Sequence, residues 1–588
     1  MVSMIESEHR NWLLQPLIVL RSYTWLKLRR DAFAGLTVAV VAIPQSMAYA
    51  LIAGVPPVYG LYTLIVQSFL GALFNSNPFL SVGPVNTQSL LVASTIYGVF
   101  GPPEKDPQVY LQLAIGLTLL KGIFQLTFAF ARLTKLVRYV SQSVIVGFTS
   151  GAGVLIIAGQ LPHFLGIPIS SSTSGYPGII DKIIVIWPQI HQVQMMPLLL
   201  GTSVLILVIA VRAVSRLIPG PLMGIIAAAV IVYLAGWSPA EVPTIEPLGG
   251  VLPVLQIPQI SWKQVELLIG GAIALAVLGL MEAYCVGRTI AVRSETRINA
   301  AQELTSQGVT NFVSSFFNCI PGSGSFSRSS LNFFAGAATL YSGVFNSAFC
   351  ALIVLMFASQ ARYIPLTSLA AVLFVIGYSL INWRYITRIF RNNRIDAAVC
   401  ATTFVATLVL PLQYAIYFGV FLNLALYLRQ ASRLHFSEMM LLESGKFAEC
   451  RPESPARDSE IIMAQLEGDL FFGVADELSD HLEELARRDP KVMLLRVRRT
   501  RYVDATCLEV LEQFQERFQN KGGTMILVGL THEFQQQLTR SHLAERIGQE
   551  NLFPSDDQIF GAATKALHRA RKLIALGEQN SEMRNIGE

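Results

Sequence analysis

Long apolar runs follow one another through the first three quarters of this chain and leave it few ways to fold. A helix needs about 17 to 25 apolar residues to cross a hydrocarbon core of ~30 Å. Such runs stand near 32–53, 57–74, 109–130, 138–159, 195–214, 220–236, 266–287, 301–318, 340–359, 363–382, 395–410 and 413–429. Two more, 80–98 and 320–338, are apolar but open on residues that interrupt a helix: Ser81-Val82-Gly83-Pro84-Val85-Asn86-Thr87 and Pro321-Gly322-Ser323-Gly324-Ser325-Phe326-Ser327. Irregular backbone at membrane depth is tolerated only where protein buries it or it lines a cavity, so these two segments are expected to surround a transport site.

The composition agrees with the bilayer as solvent: 52% of residues are hydrophobic and 14% charged, against about 25% charged in soluble proteins. The net charge of +5 does not mark a nucleic-acid binder, because the basic residues gather in short loops between apolar runs. With the N-terminus inside, the cytoplasmic loops carry Arg21, Lys27, Arg29 and Arg30; Arg132, Lys135 and Arg138; Arg212 and Arg216; Arg288, Arg293 and Arg297; Arg384, Arg388, Arg391 and Arg394; and Arg429 and Arg433. The opposite loops hold little beyond Lys105, Lys182, Lys263 and Arg362. This is the positive-inside pattern, and fourteen spans return the chain to the cytoplasm. The expected setting is the cell (inner) membrane, with lipid around the chain and both termini cytoplasmic.

The chain divides into a cytoplasmic N-terminal segment at 1–30, a transmembrane domain at 31–430, a soluble domain at 437–570 and a polar tail at 571–588. The soluble domain alternates strand-like runs at 461–466, 492–497 and 524–528 with helical stretches at 474–488 and 507–519, which predicts a small α/β sheet domain. The last dozen residues are polar and are expected to lack fixed structure. Within the membrane domain the broken segments are the third span of each set of seven, which suggests an inverted 7+7 repeat.

A half-helix that starts in mid-membrane presents free N–H groups and the positive end of its dipole, about half an elementary charge, to whatever lies in front of it. An anion suits that place. Ser325, Ser327 and Ser329 add hydroxyl donors, and Arg328 adds a permanent cation with a fork of donors for oxyanion oxygens. Glu282, also inside a span, either takes up a proton as the anion enters or pairs with Arg328. Lys121 is expected to snorkel or to face a polar seam. Gln45 and Tyr49, one turn apart, are placed to line a cavity, with packing the alternative role for Tyr49.

No Ser/His/Asp constellation, phosphate-binding loop or metal-ligand spacing stands in the sequence, and the six cysteines form no C-x-x-C pair. A transporter is expected rather than an enzyme, with no cofactor and no metal.

The run Asp31-Ala32-Phe33-Ala34-Gly35-Leu36-Thr37-Val38-Ala39, followed by Ile43-Pro44-Gln45-Ser46-Met47-Ala48-Tyr49-Ala50, resembles the signature of the sulfate permease (SulP) family. The resemblance continues through Pro56-Pro57-Val58-Tyr59-Gly60-Leu61-Tyr62 and Gly322-Ser323-Gly324-Ser325-Phe326-Ser327-Arg328-Ser329. Near the C-terminus Val503-Asp504-Ala505-Thr506-Cys507-Leu508 resembles the conserved loop of the STAS domain, with Cys507 where that family commonly carries Gly. The resemblance implies an all-α polytopic fold of about fourteen segments with two broken helices and short strands, elevator-like alternating access, and a homodimer. By motif position it implies anion binding at Gln45, Tyr49, Val85, Asn86, Ser325, Phe326, Ser327 and Arg328, and ion coupling at Glu282. It also implies regulation at Asp504 and Thr506, where Thr506 is either a phosphorylation position or a helix N-cap, and leaves room for a cytosolic partner of the STAS domain.

The function expected from these readings is uptake of a small oxyanion, sulfate first, by proton symport. Sodium-coupled bicarbonate transport, C4-dicarboxylate transport, an uncoupled anion channel or exchanger, and a sensor acting through its STAS domain are the alternatives.

Overall fold

The computed structural model describes residues 15–131, 141–167, 179–214, 219–239, 241–245, 252–296, 298–431, 434–441, 447–449, 460–500, 502–556 and 560–585. Arg132, Lys135, Arg138, Arg216, Arg297 and Arg433 lie outside the described residues, as do 1–14 and 586–588. The chain forms two compact units, Met1–Leu424 and Ala425–Glu588.

Among the described residues a helix falls within each of the fourteen predicted segments. After α1 (Gln15–Arg21) come α2 (Trp25–Ile52), α3 (Pro57–Phe74), strand β1 (Val82–Pro84) with α4 (Asn86–Val99), α5 (Pro107–Phe130) and α6 (Gln142–Leu165). They are followed by α7 (Ile179–Ile186), α8 (Met195–Val214), α9 (Gly220–Ala235), α10 (Trp262–Ser294) and α11 (Ala300–Ser315). The second broken segment is β2 (Gly322–Gly324) with α12 (Phe326–Phe334), and α13 (Tyr341–Phe357), α14 (Leu366–Leu380), α15 (Trp383–Asn392), α16 (Arg394–Val409) and α17 (Leu412–Ala431) complete the unit. Six of the described helices (α2, α3, α5, α6, α8 and α10) are long and apolar enough to cross a membrane by themselves, and α14 is so when taken with α15 as one stretch, Leu366–Asn392.

Caps explain where the boundaries differ from the apolar runs. The helix α10 starts four residues early because Ser261 and Gln264 close a reciprocal capping box, and it runs on to Ser294, so Arg288 and Arg293 sit on its last turns and not in a loop. Thr24 caps α2, which likewise takes Lys27, Arg29 and Arg30 into its first turns. Helix α6 starts late, at a Ser141 cap, and extends to Gly166, whose left-handed φ of 64° ends it.

Packing groups these helices around the broken pair. Helix α2 lies against α3 and α13, α5 against α11 and α10, and α6 against α14 and α16. Asp31, fully buried on α2, accepts from the backbone N–H groups of Ala338 and Thr339 at 2.6 and 2.9 Å and from the Tyr23 hydroxyl at 2.9 Å. That carboxylate fixes the link between α12 and α13 to the start of the first span.

The second unit is a six-stranded sheet in the order β4-β3-β5-β6-β7-β8, built from β3 (His435–Leu441), β4 (Phe447–Glu449), β5 (Ile461–Glu467), β6 (Val492–Arg499), β7 (Thr524–Leu530) and β8 (Leu552–Pro554). The pairs from β5 to β8 are parallel, and β3 joins both of its neighbours antiparallel. Strand alternation assigns the two faces. Met493, Leu495, Met525 and Leu527 pack under α18 (Ala475–Ala486), α19 (Ala505–Asn520), α20 (His532–Arg540) and α21 (Leu543–Ile547). Leu494, Ile526 and Val528 meet Ala562, Ala563, Ala566 and Ala570 of α22 (Gly561–Asn585) on the other face. That stripe lies at the end of the soluble domain, and the helix that carries it runs on through Asn585, into the tail expected to lack fixed structure.

Candidate substrate site

Two three-residue strands position the site. Val82, Gly83 and Pro84 pair antiparallel with Gly324, Ser323 and Gly322, so the half-helices α4 and α12 leave the pairing from opposite ends of it. The approach demands glycine at position 322, where a Cβ would stand 1.8 Å from Gln67 Oε1 and 2.6 Å from the Gly83 carbonyl oxygen. The Ser325 N–H donates to the Ser81 carbonyl at 2.9 Å, and the Ser81 N–H donates to Ser329 Oγ at 2.9 Å. Ser325 caps α12, whereas Val85 at the start of α4 offers no capping side chain.

These starts open into one cavity of about 1040 Å³, lined by Gln45 and Tyr49 from α2, Val85, Asn86 and Thr87 from α4, Glu282 from α10, and Ser325, Phe326 and Ser327 at α12. The opposite wall comes from Ile145 and Thr149 of α6, Val208, Ile209 and Arg212 of α8, Pro219 to Pro221 at α9, and Val375, Ile376, Ser379 and Leu380 of α14. Eight of the nine residues expected at the site thus meet in one place, although they come from four segments spread over nearly three hundred residues of sequence.

Arg328 is placed differently from the expectation. It is fully buried and is not among the cavity-lining residues. Its Nη1 donates to the Pro84 carbonyl at 2.9 Å, while Nε and Nη2 are buried without a hydrogen-bond partner. The guanidinium stands behind the wall formed by the two half-helix starts and ties one to the other.

Glu282 is not paired with Arg328. Its Oε1 accepts from the Thr87 hydroxyl and its Oε2 from Gln88 Nε2 at 3.2 Å. Gln88 Oε1 in turn accepts from Lys121 Nζ at 2.9 Å, and the same ammonium donates to the Gly322 carbonyl at 2.6 Å. Lys121 is fully buried. It does not snorkel, because α5 is enclosed by α10 and α11 and leaves its side chain no path to a headgroup. The polar seam expected for it is this network. Thr87, Gln88 and Arg212 were absent from the sequence-based site. Thr87 and Gln88 could have been found as polar residues in the first turn of a broken helix, and Arg212 carried no signal beyond its place at the end of a span.

In the second unit Asp504, not Thr506, is the N-cap of α19: its carboxylate accepts from the Cys507 N–H at 2.9 Å and from the Phe472 N–H at 2.5 Å. Thr506 is exposed on the first turn. Cys507 is helical and buried, with its thiol donating to the Phe471 carbonyl at 3.3 Å, so a side chain at this position is accommodated.

Residues 28–403 match the model of the sulfate permease family, and residues 454–559 that of the STAS domain. The chain is 27% identical over 557 residues to "Probable sulfate transporter 4.2" of Arabidopsis thaliana, covering 91% of this chain and 81% of that protein. It is 26% identical over 567 residues to "Low affinity sulfate transporter 3" of Stylosanthes hamata, covering 91% of this chain and 87% of the relative. Among solved structures, the fold is similar to that of the murine anion transporter Slc26a9 with a TM-score of 0.84 at 19% identity, covering 95% of this chain and 93% of the other.

Proposed function

The chain belongs to the sulfate permease family of membrane transporters, and from that premise we propose that it takes up sulfate by proton symport through alternating access. The observation that carries the reading is the meeting of α4 and α12, N-terminus to cavity, beside the Glu282 carboxylate. Free N–H groups, the Asn86 amide, and the Ser325 and Ser327 hydroxyls supply donors to a tetrahedral oxyanion, and the Arg328 charge behind them adds to the potential. Relatives named as sulfate transporters over most of their length support sulfate as the oxyanion.

Glu282 supplies the coupling. As a carboxylate, it repels an anion in the same cavity; once protonated, it does not, so proton and sulfate enter together. The elevator element of the reading rests on the two-sided lining, in which α2, α4, α10 and α12 carry the polar groups and face a mostly apolar wall from α6, α8, α9 and α14. Such a wall lets the polar side slide with little hydrogen bonding to break. The working form is a homodimer in the cell membrane with both termini cytoplasmic. Exposed Thr506, beside the Asp504 cap, is the position where phosphorylation would act on the STAS domain.

Radiolabelled sulfate uptake into proteoliposomes, under an imposed proton or sodium gradient and with Glu282→Gln alongside, tests the proposal. The expected outcome is uptake that follows the proton gradient and loses its pH dependence in Glu282→Gln. Absence of sulfate uptake under either gradient overturns the substrate, and uptake driven by sodium alone overturns the coupling.

A further inference from the structure

Helix α15, ten residues between the ends of α14 and α16, is too short to cross a bilayer. At 3.6 residues per turn its side chains divide into three stripes. Tyr385, Ile386 and Ile389 face inward, packed around Val146, Ala397 and Cys400, and the Tyr385 hydroxyl lies 3.1 Å from Ser143 Oγ. Arg384, Arg388 and Arg391, at i, i+4 and i+7, form a second stripe, all exposed and in no ion pair among the described residues. Trp383 and Phe390 form the third, next to the arginines, with 54% and 57% of their surfaces exposed.

Charge complementarity selects the occupant. From 383 to 396 four arginines face one acid, Asp396, whose Oδ2 is already bonded by Asn393 Nδ2 at 2.8 Å. Three aligned guanidiniums without carboxylates suit phosphate, which they can grip with paired donors. An exposed indole and phenyl beside that stripe suit the acyl boundary just beneath the phosphates. An acidic protein surface would use the arginine stripe and leave Trp383 and Phe390 in water. We propose that α15 is a binding site for anionic phospholipid headgroups, with the arginine stripe on the phosphates and Trp383 and Phe390 in the acyl boundary. Its inward stripe holds α6 and α16, and Ser379 and Leu380, just before it, line the substrate cavity. Headgroups bound here pin the apolar wall of the cavity to the membrane.

The test uses the full chain in phosphatidylcholine vesicles with either phosphatidylglycerol or phosphatidylcholine carrying brominated acyl chains. The contribution of Trp383 is isolated by subtracting the Trp383→Phe signal. Bromine on phosphatidylglycerol is expected to quench Trp383 more than bromine on phosphatidylcholine, with a preference that falls on the order of a hundredfold in Arg384→Gln/Arg388→Gln/Arg391→Gln, as expected for three basic residues near a surface. Each single Gln variant, changing one exposed residue, lowers the preference several-fold should the triple variant fold poorly. The corresponding triple Lys variant keeps most of it. Equal quenching by the two lipids, a preference that survives the triple Gln variant, or no quenching by either lipid overturns the proposal; the last result points to a protein partner instead.

Discussion

Arg328 Nη1 donates to the Pro84 carbonyl at 2.9 Å, so the side chain of one half-helix holds the backbone that leads into the other. The bond crosses the two repeats at the point where both helices begin. Replacing Arg328 with Met leaves that carbonyl buried and unpaired, a loss of about 1 to 3 kcal/mol, and removes the positive charge behind the site. Sulfate uptake should fall more than tenfold, with a lower unfolding temperature in detergent. Arg328→Lys should recover stability better than uptake, because an ammonium supplies charge without the fork. A variant with wild-type uptake would remove Arg328 from the site.

Glycine at 322 is a sharper test of the strand pairing. Gly322→Ala places a methyl against Gln67 Oε1 and the Gly83 carbonyl, and should abolish uptake or folding. In α4, Gly98 has nothing within 4 Å of its would-be Cβ. Gly98→Ala should be neutral or stabilising by up to ~1 kcal/mol, read as thermal unfolding of the purified protein.

Lys121 holds Gln88 and the Gly322 carbonyl at once. Lys121→Met removes both bonds and leaves the Glu282 carboxylate in a less positive surrounding. Breaking a buried charged network of this kind costs about 3 to 5 kcal/mol. The expected result is strongly reduced folded protein, with any surviving transporter responding to pH differently from wild type, measured as uptake across a pH series.

Two cysteines should separate by reactivity. Burial and the neighbouring Asp504 carboxylate push the Cys507 thiol up to about 12. At pH 8 almost none of it is thiolate, the reactive form. Cys285 is exposed and lines the cavity. Maleimide at pH 8 should label Cys285 and spare Cys507 in the folded protein, with sulfate slowing the labelling; mass spectrometry of peptides reads both.

Loss of the Asp504 cap is the corresponding test in the second unit. Asp504→Ala frees the N–H groups of Cys507 and Phe472, and should cost about 1 to 2 kcal/mol. Thr506→Ala changes an exposed residue that caps nothing and should leave stability unchanged, as measured by thermal unfolding of the full chain.

Local residue order set the spans, because twenty consecutive apolar residues have one good solution in a bilayer, and it set the broken segments, because Pro84 and Pro321, each beside glycine, interrupt a helix there. It also placed Gln45, Tyr49, Asn86, Glu282, Ser325 and Ser327 at a common site, through local motifs that each segment carries whole. The partners came from the packing of distant segments. Arg328 turned from the cavity to Pro84, Glu282 met Thr87 and Gln88 instead of Arg328, and Lys121 was enclosed by helices that follow it by more than a hundred residues. The packing of the last helix was decided in the same way, since Ala562, Ala566 and Ala570 are too small to announce a core until a sheet face lies against them. A span or a break is set by a few neighbouring residues and their solvent, whereas the direction of a buried charge is set by which distant backbone carbonyl or side chain the fold brings within 3 Å of it.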